Sequence, residues 1–193
     1  VKRICSLILF LLLFCFASGW ADENIPESRL SLTASYFGEM VLHPGFKAGI
    51  EYRIMEGKKA SLSVPLAAGW YRHIRNHQML SVESGLVGRL SSKGPFFSDL
   101  LLGAGYGLKK PDGSIYFEDE EGSILTESAS WTSRFLVTAA LGAGFDFGKN
   151  ARVKLSPFLR LGFFGEYPYN TYMLLHPFLE SGIRVRLPKA HKR

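Results

Sequence analysis

Between Phe46 and Ile54 the chain reads Phe-Lys-Ala-Gly-Ile-Glu-Tyr-Arg-Ile. On an extended strand successive side chains point to opposite faces. Phe46, Ala48, Ile50, Tyr52 and Ile54 therefore share one side, and Lys47, Glu51 and Arg53 the other. The same division recurs at Phe135, Val137, Ala139, Leu141, Ala143, Phe145 and Phe147, set against Arg134, Thr138, Gly142, Gly144 and Asp146. Helical periodicity is absent, so the chain reads as all-β. A soluble calyx-type barrel would turn the apolar phase inward around a pocket, whereas a barrel in lipid turns it outward.

The amino terminus favours the second arrangement. Lys2 and Arg3 form a basic start, Ile4 to Phe16 an apolar stretch, and Gly19-Trp20-Ala21 a small-residue cleavage site. This pattern predicts a secretory signal peptide over residues 1–21. The apolar stretch is short for a bilayer span and runs into Asp22 and Glu23, which argues against a retained helix. Cys15 is a poor lipidation site, because bulky Phe14 precedes it. Both cysteines, Cys5 and Cys15, fall in this segment. The mature chain is thus expected to lack disulfides, thiolate metal sites and cysteine nucleophiles. Loss of Lys2 and Arg3 takes the formal charge from +6 to +4, and nucleic acid is not an expected partner of an exported chain with so modest a balance. No cofactor is implied.

The remainder suits one domain: a polar lead over 22–28, a barrel over 29–187 and a basic tail over 188–193. About eight strands are predicted. They run from Arg29 to Phe37, Phe46 to Ile54, Ala60 to Tyr71, Met79 to Leu90, Phe97 to Leu108, Trp131 to Phe147, Arg152 to Tyr167 and Tyr172 to Leu187. Tight polar turns (Met55 to Lys59, Ser91 to Pro95, Gly148 to Ala151) alternate with a second set of links, Gly38 to Gly45, Arg72 to Gln78, Lys109 to Ser130 and Pro168 to Thr171. Short turns on one side and longer loops on the other predict a closed antiparallel up-and-down transmembrane barrel. The longest link is expected to contain its own hairpin, Ser114 to Phe117 and Ser123 to Thr126, around Glu118-Asp119-Glu120-Glu121-Gly122. Tyr36, Trp70, Trp131, Tyr167, Tyr169 and Tyr172 fall near the predicted outer strand ends, and Phe97 and Phe147 near the inner ones. Two aromatic girdles are expected where an apolar band meets headgroups.

The opposite phase supplies the interior: Lys47, Glu51, Arg53, Glu83, Arg89, Asp99, Arg134, Asp146, Lys154, Arg160, Glu166, Glu180, Arg184 and Arg186. An eight-stranded barrel is only just wide enough for side chains, so a packed ionic core is expected in preference to an open pore. Inward glycines at Gly103, Gly105, Gly107, Gly142, Gly144 and Gly162 leave room for arginine stems or a small cavity. The repeated Leu-Gly-Ala-Gly at Leu102 and Leu141 is no nucleotide loop, for it lacks the lysine and the strand-to-helix context.

The run Glu180-Ser181-Gly182-Ile183-Arg184-Val185-Arg186-Leu187 resembles the carboxy-terminal signal of bacterial outer-membrane barrels. The chain as a whole is similar to small Gram-negative outer-membrane β-barrel proteins, the class that includes the membrane domain of outer-membrane protein A. Leu187 stands where that family usually has an aromatic, and Pro188 to Arg193 follow it. The resemblance implies residence in the outer membrane, contact with its lipid including lipopolysaccharide, and insertion by the barrel assembly machinery.

Three constellations are candidates for chemistry. His43, His73, His77 and His176 fall at or near the predicted outer rim, where imidazoles from different strands can hold a transition metal, although loops at a headgroup surface also carry histidine for solvation alone. His77, Ser81 and Glu83 share one phase of a strand and contain the residue types of a nucleophile, a base and its orienter. At ordinary rise His77 and Ser81 are roughly 13 Å apart along that strand, too far for a hydrogen bond. Tyr167, Tyr169, Asn170 and Tyr172 could stack a ligand or form an interfacial turn. The acidic run at Glu118 lacks EF-hand spacing and reads as a hairpin tip. The leading expectation is a non-enzymatic barrel serving envelope integrity or surface interaction. A lipid-processing enzyme, a small-ligand carrier and a narrow porin-like pore are the alternatives.

Overall fold

The computed structural model describes residues 28–40, 42–118, 124–147, 154–169 and 172–186. Ten strands follow in order: β1 (Leu30–Glu39), β2 (His43–Glu56), β3 (Ala60–His73), β4 (His77–Ser91), β5 (Phe96–Pro111), β6 (Ser114–Glu118), β7 (Ile124–Ser128), β8 (Thr132–Phe145), β9 (Lys154–Tyr169) and β10 (Tyr172–Arg186). Eight of them close into one antiparallel barrel, each beside its neighbours in the chain, and β1 pairs with β10 to complete the circle. The expected leader, most of the polar lead, the acidic tip at 119–123, Asn170 and the basic tail lie outside the described residues.

Closure removes every edge except those of the small β6–β7 hairpin, which pairs separately within the link from β5 to β8. The expected outward phase is outward: Phe46, Ile50, Leu66, Val82, Leu102, Phe135, Val137, Leu141, Leu161 and Leu175 are all exposed on the barrel wall. Two of the expected long links are short. Gly38 to Gly45 and Arg72 to Gln78 are mostly strand, with β1 running to Glu39 and β2 starting at His43, and β3 running to His73 and β4 starting at His77. The sheet ladder continues through these polar residues because hydrogen bonding does not depend on side-chain polarity, and the two ends differ in loop length mainly through the β6–β7 excursion.

The interior is not ionic throughout, as the sequence suggested, but layered. Phe37, Tyr71, Met79, Leu136, Ala140, Phe164 and Phe178 pack as an apolar cluster inside the barrel. Phe37 lies at the centre of it, with ring centroids 5.0 Å from Phe178 and 5.8 Å from both Tyr71 and Phe164. Toward the end that carries the tight polar turns, the interior becomes an ion-pair lattice. Arg160 Nε and Nη2 donate to Asp99 at 3.1 and 2.9 Å, Arg184 Nε donates to Glu51 at 2.9 Å, and Arg89 meets Asp146 at 3.3 Å. Arg53 bonds Glu56.

Phe97, expected in the inner girdle, is instead inside, where the Arg89 guanidinium sits 3.7 Å from its ring centroid. It shares the phase of Asp99, so the pleat turns both inward. The inward glycines make room for these groups: a Cβ at Gly144 would fall 2.2 Å from the Phe97 ring, and one at Gly142 would fall 2.3 Å from the Asp99 carboxylate.

Candidate functional site

Above the aromatic layer, at the end carrying β6 and β7, polar side chains from all eight barrel strands converge. They arrive there by register. The β1–β2 pairing sets Glu39 opposite His43, and the β3–β4 pairing sets His73 opposite His77. The β2–β3 ladder, read outward from Gly45 opposite Tyr71, puts His43 next to His73. One residue from each of four consecutive strands thus forms a row around the barrel mouth.

The turns hold this row. Met40 and Arg75 adopt left-handed backbone with φ of 48° and 67°, which reverses the chain within three residues. The Met40 amide donates to Pro177 O at 2.7 Å, tying the end of β1 to β10 beside His176, and the Asn76 amide donates to His73 O at 3.0 Å.

Glu39 is the hub. Its side chain is 1% exposed, yet three imidazoles reach its carboxylate. His43 Nδ1 lies 2.6 Å and His73 Nδ1 3.3 Å from Oε2, while His176 Nδ1 lies 2.7 Å from Oε1. The His43 and His73 rings stack with centroids 3.5 Å apart. His176 lies flat on Phe164, centroids 4.7 Å apart at 9°, and its Nε2 faces Glu166 at 3.6 Å. Glu166 is fully buried and takes Lys109 Nζ at 2.9 Å and Arg134 Nε at 2.8 Å. A buried carboxylate in so apolar a barrel requires such compensation.

The four rim histidines singled out in the sequence are thus gathered, three on one carboxylate and the fourth, His77, with its ring 5.4 Å from that of His73. Glu39 was not among the residues predicted from the sequence, and Glu166 was expected only as one of the interior charges. The signal available was phase: Glu39 and Glu166 each follow a buried phenylalanine by two residues, Phe37 and Phe164.

The serine constellation is not assembled. His77 meets the Tyr71 hydroxyl at 3.3 Å, not Ser81. Glu83 is engaged by Lys47 at 2.8 Å and by the Thr138 hydroxyl at 3.0 Å, with Ser81 Oγ donating to it at 3.3 Å. Tyr167 and Tyr172 are exposed and stand on neighbouring strands. Tyr169 pairs with Tyr172 through the backbone ladder. Of the expected interior charges, Lys47, Glu51, Arg53, Glu83, Arg89, Arg134, Asp146, Arg160, Glu180 and Arg184 each pair with an opposite charge inside the barrel or at its ends.

No protein-family model matches the chain, and no curated protein does. Solved structures do. The crystal structure of Neisserial surface protein A superposes with a TM-score of 0.50 at 13% identity, over 83% of this chain and 97% of that one. The N-terminal β-barrel domain of Pseudomonas aeruginosa OprF gives 0.37 at 14% identity, over 82% and 98%. Ail, the attachment invasion locus protein of Yersinia pestis, gives 0.43 at 12%, over 81% and 93%. The fold is that of the small eight-stranded outer-membrane barrels.

Proposed function

We propose that the chain is a non-enzymatic outer-membrane barrel whose interior is sealed and whose work is done at the mouth that carries the β6–β7 hairpin, in envelope integrity or surface interaction. The observation that carries this reading is the pairing of an apolar outer wall with a filled lumen. Large apolar side chains are exposed all around the wall, far more than a soluble monomer leaves in water. A bilayer supplies the missing partner, and a closed barrel is one of the two backbone arrangements that satisfy its hydrogen bonds there.

The filled interior argues against the pore and carrier alternatives. Aromatic rings centred on Phe37 and the Asp99 to Arg160 lattice occupy the space that water or a ligand would need. The lipid-processing alternative loses support from the separate engagements of His77 and Glu83. The export signal expected from the sequence, the resemblance of the final strand to a barrel signal and the fold shared with Neisserial surface protein A support insertion by the barrel assembly machinery, with lipopolysaccharide around the histidine-bearing mouth.

Fractionation of cells expressing the chain tests this reading. It is expected in the outer membrane, with electrophoretic mobility that changes on heating, and to give no conductance in planar bilayers. Recovery as soluble periplasmic protein would overturn the membrane assignment, and stepwise channel currents would overturn the sealed interior.

A further inference from the structure

We propose that Glu39, His43 and His73 form a binding site for one divalent transition-metal ion of the zinc class at the mouth of the barrel. Three ligand atoms, one from each residue, lie within 4.8 Å of one another. They come from three adjacent strands whose pairing fixes their backbone.

The donor set chooses the ion. Two imidazole nitrogens and one carboxylate oxygen suit zinc and its neighbours in the transition series. Calcium and magnesium are hard ions that take oxygen ligands almost exclusively.

The spacing approaches what such an ion needs, once the stacked His43 and His73 rings swing apart to aim their in-plane lone pairs at one point. Ligands about 2.0–2.2 Å from a tetrahedral zinc are themselves roughly 3.3 Å apart. His73 Nδ1 already stands 3.3 Å from Glu39 Oε2, and His43 Nδ1, at 2.6 Å, has to retreat by less than an ångström. Without metal, ring N–H groups must occupy the carboxylate. On binding, each Nδ1 hydrogen moves to Nε2 or leaves, and the freed lone pair turns to the ion.

Two further observations distinguish this group from a chance cluster of histidines. The first is an outer partner: His176 Nδ1 holds the other oxygen of Glu39 at 2.7 Å and is itself fixed by its stack on Phe164. Metal-ligating carboxylates are held in this way by groups that do not touch the metal. The second is access. Glu39 is buried, but the His43 and His73 side chains are 19% and 24% exposed, so an ion can enter from solution and keep water in its fourth position. Lys109 and Arg134 stand in the same mouth but are held by Glu166, so their charge is already met by a carboxylate outside the proposed ligand set.

The test uses the full chain, made without an affinity tag, folded into detergent micelles and stripped with a chelator. Equilibrium dialysis against zinc should leave one ion per chain by elemental analysis. Cobalt should give the visible absorption of a site with nitrogen ligands. The double variant His43→Ala with His73→Ala should lose about 100-fold or more in zinc affinity together with the cobalt spectrum, and Glu39→Gln should behave alike. His176→Gln, a change to a positioning residue, should cost about 10-fold and leave the cobalt spectrum in place. Heat-modifiable mobility reports whether each variant is folded. Should a variant fail to fold, the unaltered chain still decides: its His43 and His73 ring signals must shift on zinc binding. Binding of less than one zinc per chain, unshifted ring signals, or a folded double variant with the parent's affinity would overturn the site and leave a hydrogen-bonded cluster.

Discussion

The two ends of the barrel interior solve the same problem with different side chains. At the end with the tight polar turns, Asp99, Glu51 and Asp146 are neutralised by Arg160, Arg184 and Arg89, whose charge is permanent at any accessible pH. At the hairpin end, Glu39 is surrounded by three histidines, which can be neutral, charged or metal-bound. Removing an acid from the first end leaves a buried, permanently charged guanidinium short of counter-charge. Removing Glu39 leaves no permanent charge behind, since its partners are imidazoles. The first arrangement is built for permanence and the second for exchange with solution, and the aromatic layer around Phe37 separates them.

This contrast ranks substitutions by cost. Asp99→Asn should be the most damaging, since Arg160 loses two charge-assisted hydrogen bonds and Arg184 a neighbour at 3.6 Å. A loss of about 3 kcal/mol or more is expected for a buried ion pair broken from one side, with Arg160 left only the longer contact to Glu180 at 3.6 Å, read as a shifted urea midpoint in lipid vesicles. Phe178→Ala removes a ring from the separating layer and should cost about 3 kcal/mol by the same measurement, the cavity lying among Phe37, Phe164 and the Lys47 ammonium. Glu39→Gln, measured with a chelator present, should cost about 1–2 kcal/mol, the scale of lost hydrogen bonds without an orphaned permanent charge. If it proved as costly as Asp99→Asn, the distinction between the two ends would be lost. Arg72→Ala breaks the exposed contact with Asp112 at 3.4 Å and should change stability by less than about 0.5 kcal/mol, marking the baseline for the series.

The barrel was legible in the sequence because its strongest signal is local. Alternation at Phe46 to Ile54 and at Phe135 to Phe145 needs no partner strand to be read, and the β6–β7 hairpin announced itself by a polar turn between two short β-prone runs. The aromatic layer was harder, because a phenylalanine suits lipid and a packed lumen equally well. Only phase separates the two environments. Phe97 lies two residues from Asp99, Phe158 two from Arg160 and Phe178 two from Glu180, and each is buried with its charged neighbour. The histidines were recognisable as a set at one end, but the carboxylate that joins them was not. Its recruitment depends on where β1 stops and on three successive registers, which are properties of the closed sheet and not of any short window of sequence.

The most direct test is the environment of the outward positions on two separate strands, Ile50 on β2 and Val137 on β8. Val137 is 52% exposed on the outer wall and Thr138 is 2% exposed inside. Nitroxide labels would be placed singly at Ile50 and Val137 in barrels folded into bilayers, and their collisions with dissolved oxygen compared with those of a water-soluble paramagnetic chelate. The account predicts that both labels meet oxygen freely and the chelate hardly at all. Labels open to the chelate and shielded from oxygen would mean that the apolar wall faces water, contradicting a barrel that stands in lipid.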